Sequence, residues 1–84
     1  MSDTENKEPE YDSLLDTRGL YCPEPIFEVR NLSDTLEIGQ RFKVLADDPA
    51  AEEDLKRWAK RTGTKLVEFQ KDGDDLIFYF QKVK

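Results

Sequence analysis

The chain has 84 residues, one cysteine, no histidine and a formal net charge of −6. A length of this order holds one small domain with a modest core. The lone cysteine excludes an internal disulfide and a cysteine-based zinc site, and the missing imidazole removes histidine-dependent nucleophilic and metal chemistry.

Residues 1–12 carry Asp3, Glu5, Glu8, Glu10 and Asp12 against Lys7, which accounts for four of the six excess negative charges. With Tyr11 the only large apolar side chain after Met1, this segment buries too little surface to offset its ordering entropy. It is expected to be a disordered acidic tail, followed by one domain over residues 13–84. The segment also lacks the basic start and apolar stretch of a signal peptide. No apolar run in the chain approaches the ~18 residues of a membrane helix, so a cytoplasmic protein without membrane contact is expected. A pI near 4.6 argues against direct nucleic-acid binding by phosphate neutralisation.

Ser13-Leu14-Leu15-Asp16 reads as a short strand, ended by Thr17-Arg18-Gly19. Cys22-Pro23-Glu24-Pro25 then opens a helix running to about Leu36. Prolines fit a first helical turn, where amide hydrogens have no intrahelical partner. This spacing predicts Cys22 at the N-cap, Pro23 at N1 and Pro25 at N3. At about 100° per residue, Ile26, Val29, Leu32 and Leu36 form the buried stripe. Phe27 lies almost opposite: it packs under a loop or the tail, is simply exposed, or docks a partner.

Arg41 to Asp47 alternates as a strand, with Phe42, Val44 and Ala46 on one face. Asp48 as N-cap and Pro49 at N1 predict a second helix whose inner face carries Ala51, Leu55, Trp58, Ala59 and Thr62. Acidic residues Glu52, Glu53 and Asp54 lead and basic residues Lys56, Arg57, Lys60 and Arg61 follow, matching the helix dipole. That pattern reads as a solvated face, with Gly63 closing the helix. Lys65–Gln70 and Leu76–Gln81 are strands joined through Asp72-Gly73, a hairpin signal. Leu76, Phe78 and Phe80 alternate with Ile77 and Tyr79, so both faces of the last strand are apolar, as in a central strand.

The order βαβαββ predicts an α+β fold: a two-layer sandwich with a mixed four-stranded sheet and two helices on one face. Its chemistry centres on Cys22. A helix start stabilises a thiolate and lowers its pKa, and the Glu24 and Ile26 amides are expected to face the sulfur. Nearby Glu24 and Asp16 oppose that effect. On position alone, Cys22 is equally readable as an inert small hydrophobe. No cofactor and no metal are expected.

The run Leu15-Asp16-x-x-Gly19-x-x-Cys22-Pro23-x-Pro25 before a helix resembles the signature of the TusA/SirA (YhhP-like) sulfur carriers. Ala46-Asp47-Asp48-Pro49-Ala50 is similar to that family's second recurrent segment. The likeness spans roughly residues 13 to 83 and implies strand order 1-2-4-3. It also implies sulfurtransferase-type chemistry: Cys22 accepts a sulfane sulfur as a persulfide and relays it, as in a sulfur relay for tRNA thiolation, cofactor sulfur supply or sulfur oxidation. The implied partners are a sulfur-donor protein, of cysteine desulfurase or rhodanese type, and a sulfur-acceptor protein. Asp16, Arg18, Gly19 and Asp47 are candidate neighbours of the thiol, with Arg18 its nearest positive charge. Glu24, Phe27 and Arg30 are candidates for partner docking. Tyr21 stands where some members carry a basic residue. The competing reading is a protein-binding regulatory module in which Cys22 is incidental; a redox thiol switch ranks last, because no resolving cysteine is present.

Overall fold

A computed structural model describes residues 9–84. Six elements follow in chain order: β1 (Ser13–Asp16), α1 (Glu24–Thr35), β2 (Arg41–Ala46), α2 (Ala51–Thr62), β3 (Lys65–Asp72) and β4 (Asp75–Gln81). The sheet order is β1-β2-β4-β3. β1 pairs with β2 in parallel, and β4 pairs antiparallel with both β2 and β3. The α+β architecture read from the sequence is therefore the one observed, and β4, apolar on both faces, is central.

Register explains the core. Phe42 lies opposite Phe80, Val44 opposite Phe78 and Ala46 opposite Leu76, which puts the buried residues of both strands on one sheet face. Against this face pack Val29 of α1 and Leu55, Trp58 and Ala59 of α2, so both helices cover the same side. The centre is aromatic. Phe80 stacks on Phe78 at 5.6 Å, meets Phe42 at 5.4 Å and takes the edge of Trp58 at 5.7 Å. Burying one such ring contributes roughly 1.5–3 kcal/mol, enough to matter in a domain this small.

Three boundaries differ from the sequence expectation. α1 starts later: Pro23 is the N-cap and Glu24 the first helical residue, because Cys22 is drawn into the preceding turn. α2 begins at Ala51, with Ala50 as N-cap. Asp48 lies two residues upstream of that cap and accepts the Ala50 amide at 3.1 Å in an Asx turn. The hairpin is tighter than the five-residue connection from Lys71 to Asp75, since Asp72 pairs with Asp75 and leaves Gly73-Asp74 as the turn. Gly73 has φ +62° and Asp74 is not left-handed, which suits a turn with glycine at its first central position.

The opposite sheet face carries Lys43 and Tyr79 side by side. Tyr11 lies over them, 6.2 Å from the Tyr79 ring and with Lys43 Nζ 5.5 Å from its own ring. Asp12 exchanges two hydrogen bonds with the Arg41 backbone, at 2.8 and 3.0 Å. Most of the expected tail, residues 1–8, lies outside the described residues. β3 contains a bulge: Val67 is the extra residue between Leu66 and Glu68, which face consecutive residues of β4.

Candidate functional site

Three segments converge at the sheet edge where β1 and β2 end. The loop after β1 begins at Thr17, fully buried, whose amide and hydroxyl both donate to the Leu45 carbonyl at 2.7 Å. The Leu20 amide closes a turn onto the Thr17 carbonyl at 3.1 Å, with Gly19 at its third position and φ +88°. Only glycine adopts that conformation without strain. This is why the stretch from Asp16 to Cys22 needs Gly19.

A second turn carries the cysteine. The Glu24 amide donates to the Tyr21 carbonyl at 2.8 Å, with Cys22 and Pro23 between them and a cis Cys22–Pro23 peptide. The Ile26 amide donates to the Pro23 carbonyl at 3.1 Å. Both amides expected to face the sulfur are thus engaged with carbonyls. Pro25 is buried, whereas Cys22, Pro23, Glu24, Phe27 and Arg30 are exposed. Phe27 is 50% exposed and Tyr21 is 70% exposed, giving two aromatic side chains on the outside of the turn and first helical coil. Spaced three apart on α1, Glu24, Phe27 and Arg30 share its outer side.

The segment between β2 and α2 holds this loop by its amides. Asp47 Oδ1 accepts from the Gly19 amide at 3.0 Å. Asp48 Oδ2 accepts from the Cys22 amide at 2.8 Å while Oδ1 serves Ala50. Two adjacent aspartates therefore tie both turns of the cysteine loop to the start of α2.

The charges around the sulfur differ from those anticipated. Its thiol is raised above the ordinary cysteine value, first by the Asp54 carboxylate. Partial desolvation and the negative charges of Asp54 and Asp48 add to this, and Arg57 opposes it. Arg18 is paired elsewhere. It is committed to Asp16 at 2.9 Å and to Asp75 at 3.3 Å, linking the ends of β1 and β4. That pairing holds the Asp16 carboxyl down at about 2, chiefly through the Arg18 hydrogen bonds. Asp47 and Gly19 thus belong to the framework of the cysteine loop, whereas Asp16 and Arg18 form a separate surface pair.

Sequence reasoning missed Asp54 and Arg57, which read as ordinary members of a dipole-matched helix. The available signal was their i, i+3 spacing just after the Asp47-Asp48 segment; they pair at 3.2 Å. Among the described residues, no group of three or more Cys, Asp or Glu side chains is arranged to hold a metal ion.

With this geometry established, comparison with known proteins is direct. The family model described as Sulfurtransferase TusA matches residues 13–82. The chain belongs to this family. It is 44% identical over 69 residues to an Archaeoglobus fulgidus protein named provisionally as a sulfur carrier, covering 82% of this chain and 90% of that one. To the sulfur carrier protein TusA of Allochromatium vinosum it is 34% identical over 73 residues, covering 87% and 96%. A crystal structure of a SirA-like protein from Desulfitobacterium hafniense shares the fold, with a TM-score of 0.73 at 23% identity, covering 87% of this chain and all of that one. In TusA terms, the matched residues contain both the cysteine loop and the aspartates that hold it.

Proposed function

We propose that the protein is a sulfur carrier that holds sulfane sulfur as a persulfide on Cys22. The observation that carries this reading is the exposed Cys22, set in the Cys-Pro-x-Pro turn of a chain matched to a sulfurtransferase family and reachable by a macromolecular donor. In loading, Cys22 Sγ forms a bond to the terminal sulfur of a donor persulfide. The donor's own S–S bond breaks, and its thiolate leaves with the proton that Cys22 gives up. In unloading, an acceptor thiol attacks the terminal sulfur of Cys22–S–SH and Cys22 departs as the thiol. One sulfur moves each way and no external oxidant is consumed.

The donor is a cysteine desulfurase or rhodanese type of protein and the acceptor a second protein, feeding tRNA thiolation, cofactor sulfur supply or sulfur oxidation in the cytoplasm. Tyr21, Glu24, Phe27 and Arg30 supply the docking surface beside the sulfur. No helix among the described residues is long and apolar enough to cross a membrane. Incubation with a cysteine desulfurase and cysteine, followed by intact mass spectrometry, is expected to show one added sulfur that dithiothreitol removes. Cys22→Ser shows none. A wild-type chain that never gains the sulfur from any persulfide donor overturns the reading and favours the regulatory module, in which Phe27→Ala abolishes partner binding and Cys22→Ser preserves it.

A further inference from the structure

Both helices pack on one face of the sheet, so side chains on the other face are expected to stay partly open. Leu14 and Ile77 on that face do so, the first 55% exposed and the second half-buried. Tyr79, two residues along β4 from Ile77, is only 2% exposed. Against it lies Tyr11, with ring centroids 6.2 Å apart and planes tilted by 54°, a favourable aromatic pairing. Lys43 Nζ reaches both rings, at 5.5 Å from Tyr11 and 5.4 Å from Tyr79, close enough for cation–π attraction. The next residue fastens the segment. The Asp12 amide donates to the Arg41 carbonyl at 2.8 Å, and Asp12 Oδ2 accepts from the Arg41 amide at 3.0 Å. An open cleft of about 330 Å³ beside it, lined by Glu10, Tyr11, Asp12, Gly39 and Arg41, lets water reach these bonds.

We propose that the outer sheet face around Lys43 and Tyr79 is a docking site for an acidic, tyrosine-bearing segment of a partner protein. Glu10-Tyr11-Asp12 is the chain's own stand-in, a strap that the partner displaces. The strap identifies the chemistry of the occupant: its ring covers Tyr79, and the carboxylates on either side complement the cations of Lys43 and Arg41. Little apolar area holds it, since Tyr11 is itself 41% exposed. A contact of this size opens locally without unfolding the core. When the strap lifts, a partner segment of the same chemistry takes its place on Tyr79 and Lys43. The strap lies where β1 and β2 begin, and Cys22 follows the end of β1, so the two sites are at opposite edges of the sheet. The docking site therefore does not depend on the persulfide reading.

The test follows amide hydrogen exchange in the full chain by NMR. Tyr11→Ala is expected to speed exchange of the Asp12 and Arg41 amides by about tenfold and to leave the β2–β4 ladder unchanged. Lys43→Gln speeds the same two amides by about threefold. Because the strap is joined directly to β1, its effective concentration on the face is in the millimolar range. A detached peptide of residues 7–13 is therefore expected to saturate full-length Tyr11→Ala at low millimolar concentration, shifting the Lys43 and Tyr79 resonances. The peptide that itself carries Tyr11→Ala does not bind. Unchanged exchange in Tyr11→Ala overturns the strap. Faster exchange without saturable peptide binding at Lys43 and Tyr79, or equal binding of the alanine peptide, overturns the docking site. Wild-type protection of Asp12 that grows with protein concentration shows straps exchanged between two copies, and overturns the assignment to a partner.

Discussion

The two ends of α1 are secured by opposite means. At its C-terminal end, Lys82 extends from the chain beyond β4 and donates to the Ser33 and Leu36 carbonyls at 2.7 and 2.9 Å. The Lys82 backbone also exchanges bonds with Gly39 and Gln40 at 2.6 and 2.9 Å. A cation there satisfies orphan carbonyls and complements the helix dipole. At the N-terminal end, prolines remove amide donors instead, and the aspartates opposite bind the loop in front of the helix rather than the helix itself. One end is neutralised and closed. The other is held open with excess negative charge next to an exposed sulfur. The carboxylates of α2 and of its approach therefore oppose the α1 dipole at Cys22.

Both ends rest on the same core, so the largest disruption comes from beneath them. Phe80→Ala is expected to cost about 3–5 kcal/mol, close to the whole stability of a small domain. Denaturant unfolding followed by circular dichroism measures it, and both ends should loosen together. Breaking only the closed end gives less. Lys82→Met should lower stability by roughly 1–2 kcal/mol with no change in the rate of Cys22 alkylation. A changed rate would show that the two ends are coupled.

Breaking the open end separates stability from chemistry. Asp48→Ala is expected to lose about 1 kcal/mol through its Asx turn and to make Cys22 more acidic, since Asp48 is one of the charges that raise it. Faster alkylation at neutral pH is the readout. The smallest effect belongs to the Asp16–Arg18 pair. Asp16 titrates lower in the folded chain, at about 2, than in the unfolded one. Its contribution is therefore fully present above about pH 4 and is lost as pH falls through about 2. Asp16→Asn should flatten that acid limb of the stability curve and lower neutral-pH stability by the same amount, which is small because the pair is exposed.

Periodicity made the fold legible. The alternation in Phe42, Val44 and Ala46 and the doubly apolar β4 placed the core and the central strand, and each buried residue of α2 was on the face that its spacing assigned. The family was legible through the cysteine motif. The surroundings of the cysteine were not, for two physical reasons. Capping rules are local, so Asp48 read as a helix N-cap, whereas its second oxygen reaches an amide 26 residues away in sequence. Charge patterns along a helix are equally local: Asp54 and Arg57 satisfied the dipole of α2, and nothing in that pattern revealed which face looks across at Cys22. Arg18 shows the converse, being near the cysteine in sequence but bound to Asp75, 57 residues on.

The bulge in β3 bears on how this molecule behaves at high concentration. A four-stranded sheet exposes two outer strands, and a regular outer strand is a template for adding another chain's backbone. Here β1 has only four residues, and the ladder of β3 is interrupted at Val67. The extra residue twists the strand and puts its outward amides and carbonyls out of step with an incoming neighbour. Neither border of the sheet offers a long, even row of backbone groups, so backbone geometry discourages sheet-to-sheet growth.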